Sequence, residues 1–223
     1  MMDKQKILSM LDSTLLKANA SKEDILKLCE DAEKYRFAAV CVHPCHVELC
    51  KRILKGKLPV ATVVGFPMGA NTPEIKAYEA ADAVRRGADE LDMVINIGAA
   101  IDGDYKLVEE DIRGVVEAAQ GRVVKVILET CYLTNEQKKQ VCLAAKRAGA
   151  SFVKTSTGLA GGGATIEDVR LMKETVGDSL KVKAAGGIRS LAECEKFIEA
   201  GAERIGTGTA VKIAEGTAVD SNY

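Results

Sequence analysis

The chain has 223 residues, 47% hydrophobic and 28% charged, with a net charge of −1 and no tryptophan. This is the profile of a soluble globular protein with an aliphatic core, and it lacks the basic face that a nucleic-acid partner would require. No run of 18 apolar residues is present to enter a membrane, and the polar start does not read as a signal peptide. The seven irregularly spaced cysteines read as reduced thiols of a cytoplasmic protein.

Eight short β-branched runs follow in order, at 11–15, 38–42, 60–64, 90–95, 123–129, 152–155, 182–185 and 204–207. Between them apolar residues recur at spacings of three and four, as in Ile25, Leu28, Cys29 and Ala32, or Val141, Ala144, Ala145 and Ala148. Thr134 with Gln137 and Ser190 with Glu193 read as capping boxes; Ser21 with Asp24 and Thr165 with Asp168 are weaker versions. Pro73 suits a first helical turn, and glycines such as Gly87, Gly149 and Gly201 end helical stretches and lead straight into strands. Such alternation implies parallel strands joined by crossover helices. The expectation is an α/β fold: a single (β/α)8 TIM barrel domain over 1–223, with a short C-terminal tail at about 216–223. An open doubly wound sheet is the alternative.

In such a barrel the chemistry sits at the C-terminal ends of the strands. Lys154 lies on the sixth run and Lys183 on the seventh, so the two belong on neighbouring strands about 4.8 Å apart. Desolvation and like charge both lower a lysine pKa, and a neutral amine attacks carbonyls to form a Schiff base. From these residues alone either lysine could be the nucleophile. Asp92, set among Leu, Met and Val, needs a cationic partner and reads as an ion-pair or proton-transfer group. Lys125 between two valines poses the mirror problem, with Asp12 as its expected counter-ion in a supporting pair. Asn96 and Glu129, also at strand ends, either cap or face the site.

Glycines indicate the ligand. Gly186 and Gly187 precede the helix that Ser190 caps, and Gly206 and Gly208 flank Thr207 before Thr209. Backbone N–H groups after the seventh and eighth strands are a common phosphate site in barrels. Thr14, Thr157 and Gly158 would complete the rim, with 158–163 as a third side. Cys41, His43, Cys45, His46 and Cys50 have metal-ligand side chains, but their spacing does not match paired zinc motifs, and no metal is expected there.

The segments that begin at Glu90 (ELDMVI), Val124 (VKVILET), Phe152 (FVKTSTG), Gly163 (GAT) and Val182 (VKAAGGIR) resemble the deoxyribose-phosphate aldolase family. The similarity runs from about Leu11 to the C-terminus. It implies a metal-free class I aldolase on a (β/α)8 barrel that acts on a small phosphorylated sugar and aldehydes, with no cofactor beyond a covalent lysine imine. By motif, Lys154 would be the Schiff-base lysine, Lys183 the neighbour that lowers its pKa, and Asp92 the proton-transfer partner. Tyr223 would match a C-terminal tyrosine that assists proton transfer in many members. The family also implies a homo-oligomer. Two departures stand out: Ser13 where members often have His, and Gly208-Thr209 where they often have two serines. Another phosphosugar barrel enzyme, or a barrel that only binds a phosphometabolite, are the rival readings.

Overall fold

All eight β-branched runs become strands, and each pairs in parallel with the next until the last returns to the first. The computed structural model describes residues 2–217, so Tyr223 and the other positions from 218 onward lie outside the described residues. In chain order the elements are α1 (Lys4–Leu8), β1 (Leu11–Leu15), α2 (Lys22–Tyr35), β2 (Ala39–Val42), α3 (Val47–Leu54), β3 (Val60–Val64) and α4 (Pro73–Arg85). They continue with β4 (Glu90–Val94), α5 (Ile97–Asp102), α6 (Tyr105–Ala118), β5 (Val123–Ile127), α7 (Asn135–Arg147) and β6 (Phe152–Lys154). Last come α8 (Ile166–Val176), β7 (Lys181–Ala185), α9 (Leu191–Glu199), β8 (Arg204–Thr207) and α10 (Ala210–Glu215). The result is a closed (β/α)8 barrel, not an open sheet. Among the described residues no helix is long and apolar enough to cross a membrane.

Strand alternation sorts side chains into two environments. Leu91 and Met93 of β4, Val124 and Val126 of β5, Val153 of β6 and Ile205 of β8 point outward into one apolar layer beneath the helices. Burying each such side chain contributes roughly 1.5–3 kcal/mol, so this outer layer carries the fold. The alternate positions point inward, and many of them are charged. Asp12, Glu90, Asp92, Lys125, Lys154 and Lys183 are all buried. On the β2–β3 side of the interior Cys41, Ala61 and Val63 pack with Leu16 and Phe66.

Boundaries differ from the sequence expectation at a few places, each with a local cause. β5 ends at Ile127 rather than 129, because Glu129 adopts a left-handed conformation with φ 53° and carries the chain into a turn. Ser21 and Asp24 form a complete capping box, as do Thr134 and Gln137. Ser190 caps the Glu193 amide, but the Glu193 carboxylate accepts from the Arg189 amide (2.7 Å), so that box is only half made. Asp168 likewise leaves its own N-cap to pair with Lys138 at 2.5 Å.

Candidate active site

Lys154 and Lys183 occupy matched positions in the β6–β7 register. Both amines donate to the same oxygen of Asp92, at 2.7 Å from Lys154 and 2.8 Å from Lys183. The other Asp92 oxygen takes Lys125 at 2.7 Å. β4, β5, β6 and β7 thus deliver one carboxylate and three ammonium groups to one place inside the barrel. The expected Asp12–Lys125 pair is present only at 3.9 Å. Lys125 sits closer to Glu90 (2.5 Å), while Asp12 binds Lys183 and, at 2.6 Å, Arg204. The physical reason is strand order: β1 neighbours β8, and β4 neighbours β5, so each carboxylate finds a nearer cation.

These contacts separate the lysines chemically. Burial drives the Lys154 pKa down; Asp92 opposes it, and Lys183 reinforces it, leaving the amine below the ordinary lysine value. Burial also pushes Lys183 down, but Asp12 and Asp92 outweigh it and hold this amine above its ordinary value. Lys125 is raised in the same way, burial being overcome by Asp92, Asp12 and Glu90. Of the three buried barrel lysines, Lys154 alone is displaced toward the neutral, nucleophilic form. Desolvation is its largest cause, ahead of the neighbouring Lys183 charge. Asp92 feels burial upward, yet Lys125, Lys154 and Lys183 hold its carboxyl well below the usual range, so it is an anion at neutral pH.

The rim is built by glycines that let backbones meet. A Cβ on Gly163 would lie 2.5 Å from the Gly186 carbonyl oxygen, and one on Gly186 would lie 3.1 Å from the Gly163 Cα and 3.6 Å from the Gly158 Cα. The loops after β6 and β7 therefore touch at these three residues, with Gly187 next along. Gly206 does not belong to that loop surface. It is inside β8, where a Cβ would come within 3.0 Å of the Lys183 side chain. Gly208 and Thr209 join Thr14 and Lys212 along a cavity of about 590 Å³ between the β1 and β8 loops. That cavity is also lined by Asp24, Lys27, Leu28 and Asp31 of α2, and Lys154 is not among its lining residues. Thr157 is held by Glu129: its amide and hydroxyl both donate to the Glu129 carboxylate, and its hydroxyl accepts from the Leu159 amide at 3.1 Å. Asn96 caps α5 through the Ala99 amide at 3.1 Å.

A family model for DeoC/LacD family aldolases matches residues 6–214. The chain belongs to this family. A deoxyribose-phosphate aldolase of Clostridium perfringens is 54% identical over 224 residues, covering 100% of both chains. Among solved structures, the aldolase QR15 superposes with a TM-score of 0.91 at 42% identity, covering 97% of this chain and 96% of its own. The tetrameric deoxyribose phosphate aldolase of Aeropyrum pernix gives 0.90 at 32% identity, over 96% of this chain and 92% of its own.

Within this DeoC/LacD aldolase the structure also brings forward groups that sequence reasoning passed over. Arg204 opens β8 and reaches both Asp12 and Glu90 (3.2 Å). Its signal was parity, since β7–β8 register sets it opposite Lys183. Ser156, two residues after Lys154, has a buried hydroxyl with no hydrogen-bond partner among the described residues. The Cys41–Cys50 cluster disperses: Cys41 faces the barrel interior, His43 bonds the Leu16 carbonyl (3.0 Å), Cys45 is exposed, and Cys50 packs in the outer apolar layer.

Proposed function

We propose that this aldolase reversibly cleaves 2-deoxy-D-ribose 5-phosphate to acetaldehyde and D-glyceraldehyde 3-phosphate through a Schiff base on Lys154, with no metal or cofactor. The observation that carries the reading is the asymmetry of the two amines on Asp92: Lys154 is lowered and Lys183 is raised. A relative named deoxyribose-phosphate aldolase at 54% identity over full length supports the substrate.

Lys154 attacks C1 of the open-chain sugar, and loss of water gives an iminium ion. The bond that breaks is C2–C3, because its electron pair must fall on the carbon next to the iminium carbon, giving an enamine. The C3 hydroxyl loses its proton as the aldehyde forms, and the anionic Asp92, directly or through water, is the acceptor. Lys183 stays cationic and opposes protonation of Lys154. The enamine then takes a proton, with Tyr223 as the expected assistant, and hydrolysis frees acetaldehyde. Supporting phosphate roles fall to Thr14, Gly186, Gly187, Gly208 and Thr209, with Thr157 and Gly158 shaping the rim. An isomerase would leave the paired amines without a task.

The same reading includes assembly from identical copies. Met68, Ile75 and Tyr78 are exposed near and along α4, and would form part of a contact face. The test of function is direct. Enzyme, deoxyribose 5-phosphate and cyanoborohydride should leave a reduced adduct on the Lys154 peptide, and without reductant the enzyme should release glyceraldehyde 3-phosphate. Turnover with no adduct at Lys154 would remove it from the nucleophile role.

A further inference from the structure

Six charged side chains inside the barrel form a closed circuit of alternating sign. Lys125 pairs with Asp92 at 2.7 Å, and Asp92 with Lys183 at 2.8 Å. Lys183 pairs with Asp12, and Asp12 with Arg204 at 2.6 Å. Arg204 pairs with Glu90 at 3.2 Å, and Glu90 returns to Lys125 at 2.5 Å. The members come from β1, β4, β5, β7 and β8, and five of the six are buried, with Arg204 partly so. Three cations and three anions balance. Lys154 is attached to this ring at a single point, the Asp92 oxygen it shares with Lys183.

We infer that Glu90 and Arg204, which do not touch Lys154, are positioning residues that keep the ring neutral and so make Lys154 the one surplus charge. In a low-dielectric interior a complete set of pairs offsets the desolvation of each member, whereas a seventh charge has only a shared oxygen to lean on. Losing its proton returns the interior to zero net charge. The route is competition for carboxylate oxygens. Glu90 shares Lys125 with Asp92, which leaves more of Asp92 for Lys154; Arg204 shares Asp12 with Lys183, which leaves Lys183 pressing on Asp92. The other groups that face Lys154 are Asp92, Lys183 and the Cys41 thiol, which burial pushes up to about 11. Cys41 is therefore uncharged where Lys154 changes state.

The inference rests on Lys154 being the imine-forming residue, and the experiment separates the two. Acetaldehyde and cyanoborohydride are supplied over a range of pH, and the rate of labelling at Lys154 is followed by peptide mass. The amine adds to the carbonyl, water leaves with the aldehyde oxygen, and hydride from the reductant fixes the iminium. The rate falls on the acid side as Lys154 takes its proton. Glu90→Gln leaves the ring positive, so protonation of Lys154 is disfavoured and the acid limb moves down by about one pH unit. Arg204→Gln leaves it negative, and the limb moves up by a similar amount, about a tenfold change in labelling rate on the limb. Arg204→Lys and the double variant Glu90→Gln/Arg204→Gln keep the charge balance, so their limbs stay at the wild-type pH and carry the test if a single variant does not fold. Shifts of both single variants in one direction, no shift in either, or a displaced limb in the balanced variants overturns the inference. Absence of label on wild-type Lys154 would instead overturn the Schiff-base reading.

Discussion

Lys154 and Lys183 stand opposite each other on adjacent parallel strands, yet their proton affinities move in opposite directions. Lys183 has two carboxylates, Asp12 and Asp92, whereas Lys154 has a share of one. Division of labour between two identical amines is thus a matter of partner count. Replacing Lys183 by Met removes a cation that lowers Lys154 and frees Asp92 to hold it more tightly. Both effects raise the Lys154 pKa. Activity at neutral pH should fall by about 10²-fold or more, with partial recovery as pH rises, and Lys183→Arg should be milder. A pH–rate profile of the Met variant that keeps its acid limb in place would contradict this role.

Asp12 gives the fold an acid-sensitive contribution. Burial pushes its carboxyl up, but Lys183, Lys125 and Arg204 bring it to about 2 from an ordinary 3.8. A depressed carboxylate stabilises the folded state fully above its unfolded pKa and loses that contribution as pH falls through the folded one. The window therefore runs from about 3.8 down to about 2, and the contribution at stake is about 2 kcal/mol. Urea unfolding of wild type and Asp12→Asn should show a stability gap that is constant above pH 4 and narrows below it.

Glu129 holds Thr157 by two donors, from a backbone conformation with φ 53° that glutamate rarely adopts. Glu129→Ala frees the turn after Lys154. The Michaelis constant for the phosphorylated sugar should rise several-fold while kcat changes less, and Glu129→Gln, which keeps an acceptor, should lie between. Steady-state kinetics of the three proteins decides it; equal losses in kcat alone would point to Lys154 itself.

Gly163 and Gly161 offer a matched pair of substitutions in one loop. A methyl on Gly163 meets the Gly186 carbonyl oxygen at 2.5 Å, whereas one on Gly161 meets nothing within 4 Å. Gly163→Ala should cost roughly 1–3 kcal/mol and weaken substrate binding by separating the two loops. Gly161→Ala should stay within about 0.5 kcal/mol of wild type. Thermal melts and kinetics of both would check the contrast.

Much of the fold was legible because period-two patterning and helix-end residues report local geometry. All eight strands lie where the β-branched runs predict them, and Asp92, Lys154 and Lys183 converge as parity requires. Other features depend on partners far apart in sequence. Arg204 and Glu90 open their strands, where a charge ordinarily meets solvent, and their shared contact spans 114 positions of chain. The end of β5 could not be read either, since Glu129 leaves the strand to reach Thr157, a tie that no local pattern announces. Gly206, expected in a phosphate loop from its place at the end of the eighth run, lies within β8, and its surroundings show it making room for Lys183.

The small apolar wall of Cys41, Ala61 and Val63, with Leu16 and Phe66, is built on β2 and β3, which contribute no member of the ion-pair ring described above. It therefore supplies the enzyme's room for change. The charged side chains of the other strands are locked into a balance in which altering one charge disturbs the reactive amine. Volume can be added or removed at Ala61 and Val63 without touching that balance. A lineage or an engineer seeking new aldehyde partners has this sector as the place to recarve, with the electrostatics of imine formation left intact.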